Sequence, residues 1–285
     1  WTKFQQGILS KLPQKKLNVL LSIPLVSSLI KKKIKSGLGL QQARNIFTGA
    51  APTPVSTLKW FERLGIPIQE AYAMTENCCY SHVTLNDGIK FGSVGKALPH
   101  CEVKLSEENE ILIKHVALMD GYYKDNKQTQ DTIKDGWLHT GDEGHIDAEG
   151  YLKITGRVKD LFKTSKAKYV APAPIEMKLS ANKNIEQVCV VGTGLPQPIA
   201  LITLSEYGKS RPVEDVYGSL ETTLNIVNPK FESHERLKKI VVLDKEWTIK
   251  NNLLTPSMKI KRNEVERLYK DNYVNWYEKD GQIIT

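Results

Sequence analysis

The alternation of apolar and polar residues changes character along the chain, and each change marks a different kind of element. Residues 1–47 carry helical periodicity. Their longest apolar stretch runs from Leu17 to Ile30, is broken by Pro24, and abuts the basic cluster Lys31, Lys32, Lys33 and Lys35. Gly37 and Gly39 then signal a loop. NIFTGAAPTPVSTLKWFERLG reads as a short strand, a small-residue loop at Gly49, Ala50, Ala51 and Pro52, and a helix with Leu58, Phe61 and Leu64 on one face. IPIQEAYAMTENC follows as a strand entering a turn at Ala71–Glu76. A strand–loop–helix–strand order predicts a parallel α/β sheet whose ligand loops open beyond the carboxyl ends of the strands. Residues 1–88 are read as this α/β portion.

From Ile89 to Arg157 the period shortens to that of alternating strands, with turns at Asn86-Asp87-Gly88, Ser106–Asn109 and Asp147–Gly150. Residues 89–158 are therefore expected to form a small, distorted β-barrel. Beyond them, VAPAPIEMKLSANKNIEQVCVVGTG gives a helix and the strand Gln187–Val191. PIALITLSE gives a second strand, and helical stretches follow. Residues 159–285 read as a compact α+β domain.

The composition is that of a globular protein, with 40% hydrophobic and 25% charged residues among 285. A net charge of +8, from 40 basic and 32 acidic residues, favours anionic partners: nucleotides, CoA, acidic lipid surfaces or nucleic acid. Cys78, Cys79, Cys101 and Cys189 show no metal-ligand spacing and read as free thiols in a reducing cytoplasm. No apolar run reaches the roughly 20 residues of a membrane span. Residues 17–35 fit peripheral contact with an anionic membrane. A core-packed helix with a solvated basic end is the preferred reading of the same stretch.

Three places offer chemistry. The turn Asp147-Ala148-Glu149-Gly150 joins two strands that bring Asp142 and Arg157 toward one end of a small sheet. An acceptor carboxylate beside a forked donor suits a ribose, and equally an ordinary surface ion pair. Thr75 and Glu76 offer oxygens of the kind Mg²⁺ takes beside phosphates, though an isolated Thr-Glu pair also suits helix capping. Lys259 follows a turn at Thr255-Pro256-Ser257, beside Lys261 and Arg262. An ammonium on a mobile loop can neutralise charge developing in adenylyl transfer, and a nonspecific basic patch is the alternative. Gly192-Thr193-Gly194 is no dinucleotide loop, because Leu195-Pro196 prevents the helix it needs. Gly208–Ser210 is no P-loop, because Thr203 stands where the first glycine belongs.

The wording and order of these motifs resemble the acyl-adenylate-forming (AMP-binding) enzymes, among them acyl-CoA synthetases, luciferases and peptide-synthetase adenylation domains. HTGD with GYLKITGRVKDLFKTS, AYAMTE, TGAAP and FGSVGKALPHCEVKL carry the likeness, with Pro256, Lys259, Ile260 and Arg262 aligned on the family's Pro-x-x-Gly-Lys-Ile/Leu-x-Arg pattern. The resemblance implies that Asp142 and Arg157 hold the ribose of ATP or AMP, with Ile154 also at the nucleotide. It implies that Tyr72 stacks on adenine, with Ala73 in place of the usual glycine. Thr75 would lie beside the phosphate and the acyl carboxylate, and Glu76 would take Mg²⁺. Gly49, Ala50 and Ala51 would line the adenine and acyl pocket. Lys259, Thr75 and Glu76 form the implied catalytic set, and Lys159 is the implied hinge. Met258 stands at the common glycine, as expected in long-chain fatty acyl-CoA synthetases.

On this resemblance residues 1–158 are the C-terminal part of the large AMP-binding domain, and 159–285 the small mobile domain. The implied reaction converts ATP and a fatty acid to an acyl-adenylate, then CoA to acyl-CoA and AMP. The family's Ser/Thr/Gly-rich phosphate loop occurs nowhere in these residues. The chain, which starts at Trp1, is accordingly expected to be a fragment of an AMP-forming long-chain fatty acid–CoA ligase, inactive alone. Thr164-Ser165-Lys166-Ala167 stands where the family often has Gly-Gly, so the CoA passage is expected to differ. An amino-acid adenylation domain and a nonenzymatic basic binding module are the other readings. Nucleic acid is not an expected partner, because no aromatic-rich platform or binding motif is present.

Overall fold

A computed structural model describes residues 1–51, 53–85 and 88–285. Pro52 of the small-residue loop, and Asn86 and Asp87 of the Asn86-Asp87-Gly88 turn, lie outside the described residues. The chain groups into two units, one of Trp1–Thr140 with Gly144–Ile154, the other of Gly141–Glu143 with Thr155–Thr285. The division thus falls at Ile154/Thr155, ahead of the boundary at Lys159 that the sequence suggested.

The first unit begins with α1 (Thr2–Lys11), α2 (Gln14–Ser22) and α3 (Pro24–Gly37). Pro24 opens α3 rather than interrupting a helix, because its missing N–H is one that a first turn leaves unpaired anyway. The helices stop at Gly37, where the sequence signals a loop. Gly39 turns to φ +72°, and Leu40 N–H closes on the Lys35 carbonyl at 2.8 Å, which caps the helix. β1 (Phe47–Thr48), α4 (Val55–Arg63) and β2 (Gln69–Tyr72) follow. Leu58, Phe61 and Leu64 are buried, as their spacing predicts, and pack with Leu17, Trp60, Ile66 and Ile68. This is the core-packed reading of residues 17–35 at Leu17, but Val19, Leu25 and Leu29 of the same helices are exposed.

β1 and β2 are parallel, with Phe47 opposite Gln69 and Thr48 opposite Glu70. Parallel pairing stops there. β3 (His82–Val83) and β4 (Lys96–Ala97) continue the sheet antiparallel, since the short link from β2 to β3 holds no crossover helix. The next sheet contains β5 (Glu102–Leu105), β6 (Glu110–Lys114), β7 (Ile133–Lys134) after helix α5 (Asn126–Thr132), β8 (Trp137–Ile146) and β9 (Leu152–Arg157). Its order is β5-β6-β8-β7, with β9 also on β8. Ile111, Ile113, Leu138, Leu152 and Cys101 form its core. The Asp147–Gly150 turn forms as read: Asp147 Oδ1 accepts from the N–H groups of Glu149 and Tyr151, both at 3.0 Å.

The second unit carries the hairpin β10 (Phe162–Lys163) and β11 (Tyr169–Val170), α6 (Pro172–Leu179), β12 (Ile185–Val191) and β13 (Ile199–Leu204). α7 (Glu206–Lys209), α8 (Val213–Val227), β14 (Lys239–Leu243), α9 (Arg262–Tyr269), α10 (Tyr273–Glu278) and β15 (Ile283–Ile284) complete it. β12 and β13 pair antiparallel, and β14 and β15 add in parallel, giving the expected α+β sheet. Alternation along β12 sends Val188 and Val190 to one apolar cluster and Cys189 and Val191 to the other. α8 covers the first face with Val216, Leu220, Leu224 and Val227, a helical spacing.

Candidate functional site

In the first unit, two segments meet at the carboxyl end of the parallel pair. Gly49 follows β1 so closely against β2 that a Cβ there would lie 3.2 Å from the Ala71 carbonyl oxygen. Ala50 takes φ 63°, a left-handed conformation that a small side chain tolerates. Across from this loop, Tyr72 ends β2 opposite His82, their rings 6.1 Å apart. Ala73 is not among the residues with positive φ, so its methyl adds no backbone strain where the family has glycine. Exposed Thr75 and half-buried Glu76 open a short 3₁₀ turn that ends at Asn77. Buried Asn77 fixes that turn by accepting from Met74 N–H at 3.1 Å.

Tyr122, Glu70 and His82, which sequence reasoning missed, belong to this corner. The Tyr122 hydroxyl donates to Glu76 Oε1 at 2.9 Å, and Met119 N–H donates to the Glu76 carbonyl at 2.8 Å. Burial raises the Tyr122 phenol above its usual range, and the bond to Glu76 adds to that. Glu70 faces the loop after β1: burial pushes its carboxyl up to about 7, against backbone N–H bonds from Gly92 and Thr53 that pull it down. Its Oε2 lies 3.4 Å from Gly92 N–H. A lone carboxylate inside the apolar strand IPIQEAY was the signal available for it. His82, buried behind Tyr72, has its ring pushed down to about 4 by desolvation.

In the second unit, Arg157 Nε donates to Asp142 Oδ1 at 2.9 Å. Asp142 is 16% exposed and Arg157 is 60% exposed, so a short acceptor presents a free-reaching fork to solvent. Ile154 groups with the first unit, where it packs on the β-sheet core. Lys159 is exposed in a one-turn 3₁₀ segment, Val158–Asp160. Lys259 stands on a closed turn: Thr255 N–H donates to the Lys259 carbonyl at 2.8 Å, and Lys259 N–H to Thr255 Oγ1 at 3.0 Å. Leu254 and Ile260 bridge across the base of the loop, and the Lys259 side chain is exposed at its tip.

Arg262 departs from the sequence reading. It does not share a solvated basic cluster with Lys259 and Lys261. It is 14% exposed and turned inward, donating from Nη2 to Glu176 Oε1 at 2.6 Å. From Nη1 it reaches the Val190 carbonyl at 2.7 Å, and its Nε lies 3.5 Å from Asp160 Oδ2. The segment carrying Lys259 is thereby tied both to the sheet and to the residue after Lys159.

Among the described residues no group of three His, Cys, Asp or Glu side chains is arranged to hold a metal ion. Glu76 fits the other kind of Mg²⁺ site, in which one carboxylate joins phosphate oxygens supplied by the substrate.

Comparison with known proteins adds the following. The family profile for AMP-binding enzyme matches residues 9–123, and that for AMP-binding enzyme C-terminal domain matches residues 159–281. The long-chain-fatty-acid–CoA ligase ACSBG2 of Xenopus laevis is 31% identical over 299 residues, covering 90% of this chain and 40% of that protein. Long-chain-fatty-acid–CoA ligase 5 of Rattus norvegicus is 32% identical over 303 residues, covering 95% of this chain and 44% of its own length. The chain thus spans less than half of these relatives. Among solved structures, the adenylation domain of a carboxylate reductase from Mycobacterium chelonae aligns with a TM-score of 0.73 at 20% identity, over 97% of this chain and 44% of that one. The anthranilate CoA ligase AuaEII, solved with anthranoyl-AMP, aligns with a TM-score of 0.68 at 21% identity, over 85% of this chain and 48% of its own. These two likenesses concern the fold.

Proposed function

The chain belongs to the AMP-binding enzymes, and from that premise we propose that it is part of an AMP-forming long-chain fatty acid–CoA ligase. The reaction is ATP plus fatty acid to acyl-adenylate and pyrophosphate, then attack by the CoA thiol to give acyl-CoA and AMP. The observation that carries this reading is the convergence of the Gly49–Ala51 loop and the Tyr72–Glu76 turn at the carboxyl end of β1 and β2. Ligands of open α/β sheets bind at that edge.

In this reading Tyr72 offers its ring face to adenine, while the close approach of Gly49 to β2 keeps the loop flat enough for a planar base. Asp142 accepts from ribose hydroxyls, and Arg157, held by Asp142 at one end, donates from its remaining N–H groups. Thr75 donates its hydroxyl toward the α-phosphate and acyl carboxylate. Glu76, oriented by Tyr122, offers a carboxylate oxygen at the phosphates. Mg²⁺, when bound there, neutralises phosphate charge. Lys259 brings a positive charge to the carboxylate–phosphate junction, where charge develops during adenylation. Rotation about Lys159 then withdraws Lys259 and opens the adenylate to CoA, whose passage borders the loop at Thr164–Ala167.

The test is made on the full-length gene product, by fatty-acid-dependent exchange of labelled pyrophosphate into ATP. Exchange with long-chain fatty acids that falls to background in Lys259→Ala supports the assignment. Exchange driven by amino acids, and not by fatty acids, overturns it.

A further inference from the structure

We propose that Cys78 and Cys79 form a vicinal dithiol site that chelates a trivalent, thiophilic centre of the mono-organoarsenic class. The two cysteines follow the turn that carries Thr75 and Glu76, and both are free and exposed. Their backbone sets the geometry. Cys78 has φ 55° and ψ 31°, and Cys79 has φ 54°. The ψ of one residue and the φ of the next fix how two neighbouring side chains diverge. Left-handed helical values turn them by roughly 100°, where an extended strand would send them to opposite faces. The thiols therefore leave the chain roughly a quarter-turn apart and not on opposite faces, from Cα atoms about 3.8 Å apart, within the reach of their side-chain rotors.

The turn is held from within. Cys78 N–H donates to the Thr75 carbonyl at 3.0 Å, Cys79 N–H to the Met74 carbonyl at 3.0 Å, and Tyr80 N–H to the Asn77 carbonyl at 3.0 Å. Two successive non-glycine residues with positive φ are costly, and these bonds with buried Asn77 keep them in place. The pair is thus presented in a fixed backbone, with only the side-chain rotors free.

The ligand class follows from what is present and what is not. A zinc-type centre needs further protein ligands, and among the described residues no third His, Cys, Asp or Glu completes such a group. A monosubstituted arsenic(III) needs only two sulfurs, because carbon fills its third valence. With an arsenoxide the step is R–As=O plus two R′–SH giving R–As(SR′)₂ and water. Two As–S bonds form, both thiol protons leave on the arsenoxide oxygen, and no electron is transferred. One arsenic atom also spans a wider sulfur separation than the S–S bond of about 2.05 Å. The remaining cysteines are poor competitors: Cys101 and Cys189 are buried, and burial raises both thiols above the usual range.

The whole chain is treated with phenylarsine oxide in excess 2-mercaptoethanol, and the intact mass and a peptide map are read. The expected result is one phenylarsenic group bridging Cys78 and Cys79, stable to the monothiol and removed by 1,2-ethanedithiol. Losing one sulfur removes the intramolecular second bond, so Cys78→Ser and Cys79→Ser should each lower retention by roughly 100-fold or more. Cys101→Ser and Cys189→Ser should leave retention unchanged. Both turn cysteines are exposed, so their serine variants should keep the parent circular dichroism spectrum. No monothiol-resistant adduct on the folded chain, or an adduct that survives Cys78→Ser, overturns the proposal.

Discussion

The Arg262 guanidinium and the Glu176 carboxylate meet at 2.6 Å in the interior of the second unit, with Val190 sharing both partners. Glu176 Oε1 accepts from Val190 N–H at 2.7 Å while Arg262 donates to the Val190 carbonyl. Lys259, from the same basic run, has its side chain in solvent. Adjacent cations in one motif therefore do opposite jobs. Breaking a buried pair by removing one partner costs about 3–5 kcal/mol, since the other charge stays behind. Arg262→Ala should lower the melting temperature sharply, while Lys259→Ala should leave it near the parent value. Equal melting temperatures for the two variants would contradict the inward placement of Arg262.

Lys259→Ala should act on chemistry instead. Loss of one group that stabilises developing charge costs about 2.7–4 kcal/mol, or roughly 100- to 1000-fold in rate. In the full-length protein, acyl-adenylate formation should fall by that factor, and thioester formation from preformed acyl-AMP should stay near the parent rate. A matching loss in both half-reactions would make Lys259 a structural residue.

Lys159→Pro tests the pivot. Proline holds φ near −65° and disfavours helical backbone at the residue before it. Lys159 is exposed in a one-turn segment, so the substitution should spare both cores. One half-reaction should survive and the other be lost, with melting temperature nearly unchanged. Retention of both half-reactions would move the hinge elsewhere.

Two loop residues stand in a backbone made for glycine. Ala167 has φ 59° in the β10–β11 connection, and Met258 has φ 64° beside Lys259. An L residue there costs roughly 1–2 kcal/mol, of which the greater freedom of unfolded glycine takes back part. Ala167→Gly and Met258→Gly should each raise stability by up to about 1 kcal/mol in urea denaturation. Ala148→Gly, at a turn position outside the positive-φ set, should lower it.

Stability should also carry a pH signature from the first unit. The Glu70 carboxyl, pushed up to about 7 by burial from a usual value of 4.5, holds its proton in the folded state across a range where the unfolded chain has lost it. Stability from this group is therefore full near pH 4.5 and declines as pH rises through 7. His82, lowered to about 4 from 6.5, acts in the opposite sense and lowers stability as pH falls from 6.5 toward 4. Glu70→Gln keeps an acceptor for Gly92 and removes the charge. It should gain about 2–3 kcal/mol over the parent at pH 8 and little at pH 5, read from denaturation midpoints.

Much of this organisation was legible from residue order. The Leu58, Phe61 and Leu64 spacing gave α4 and its buried face, and the Asp147–Gly150 turn brought Asp142 to Arg157 as read. What escaped was whatever depends on contacts far apart in sequence. Nothing near Arg262 says that Glu176 and Asp160 will meet it, so a buried clamp looked like part of a surface patch. Tyr122 reaches Glu76 from a later, irregular segment, where no period marks a side chain as inward. The strand–loop–helix–strand order gave the parallel pair β1 and β2, while the antiparallel continuation at β3 carried no mark in the sequence.

The strand β8 contributes Gly141–Glu143 to a unit whose main stretch starts only at Thr155. For recombination within a protein family this makes some breakpoints coherent and others not. A crossover at Lys159 would take Gly141–Glu143 and Thr155–Val158 of the second unit from one parent and its remainder from the other, keeping Asp142 with Arg157. The Ile154/Thr155 junction would split the 2.9 Å pair with Arg157 outright. A crossover just before Gly141 would move both residues together with the hairpin between them. The second unit's chain thus begins at residue 141, inside a strand where no loop advertises it, and a breakpoint there carries Gly144–Ile154 of the first unit along with it.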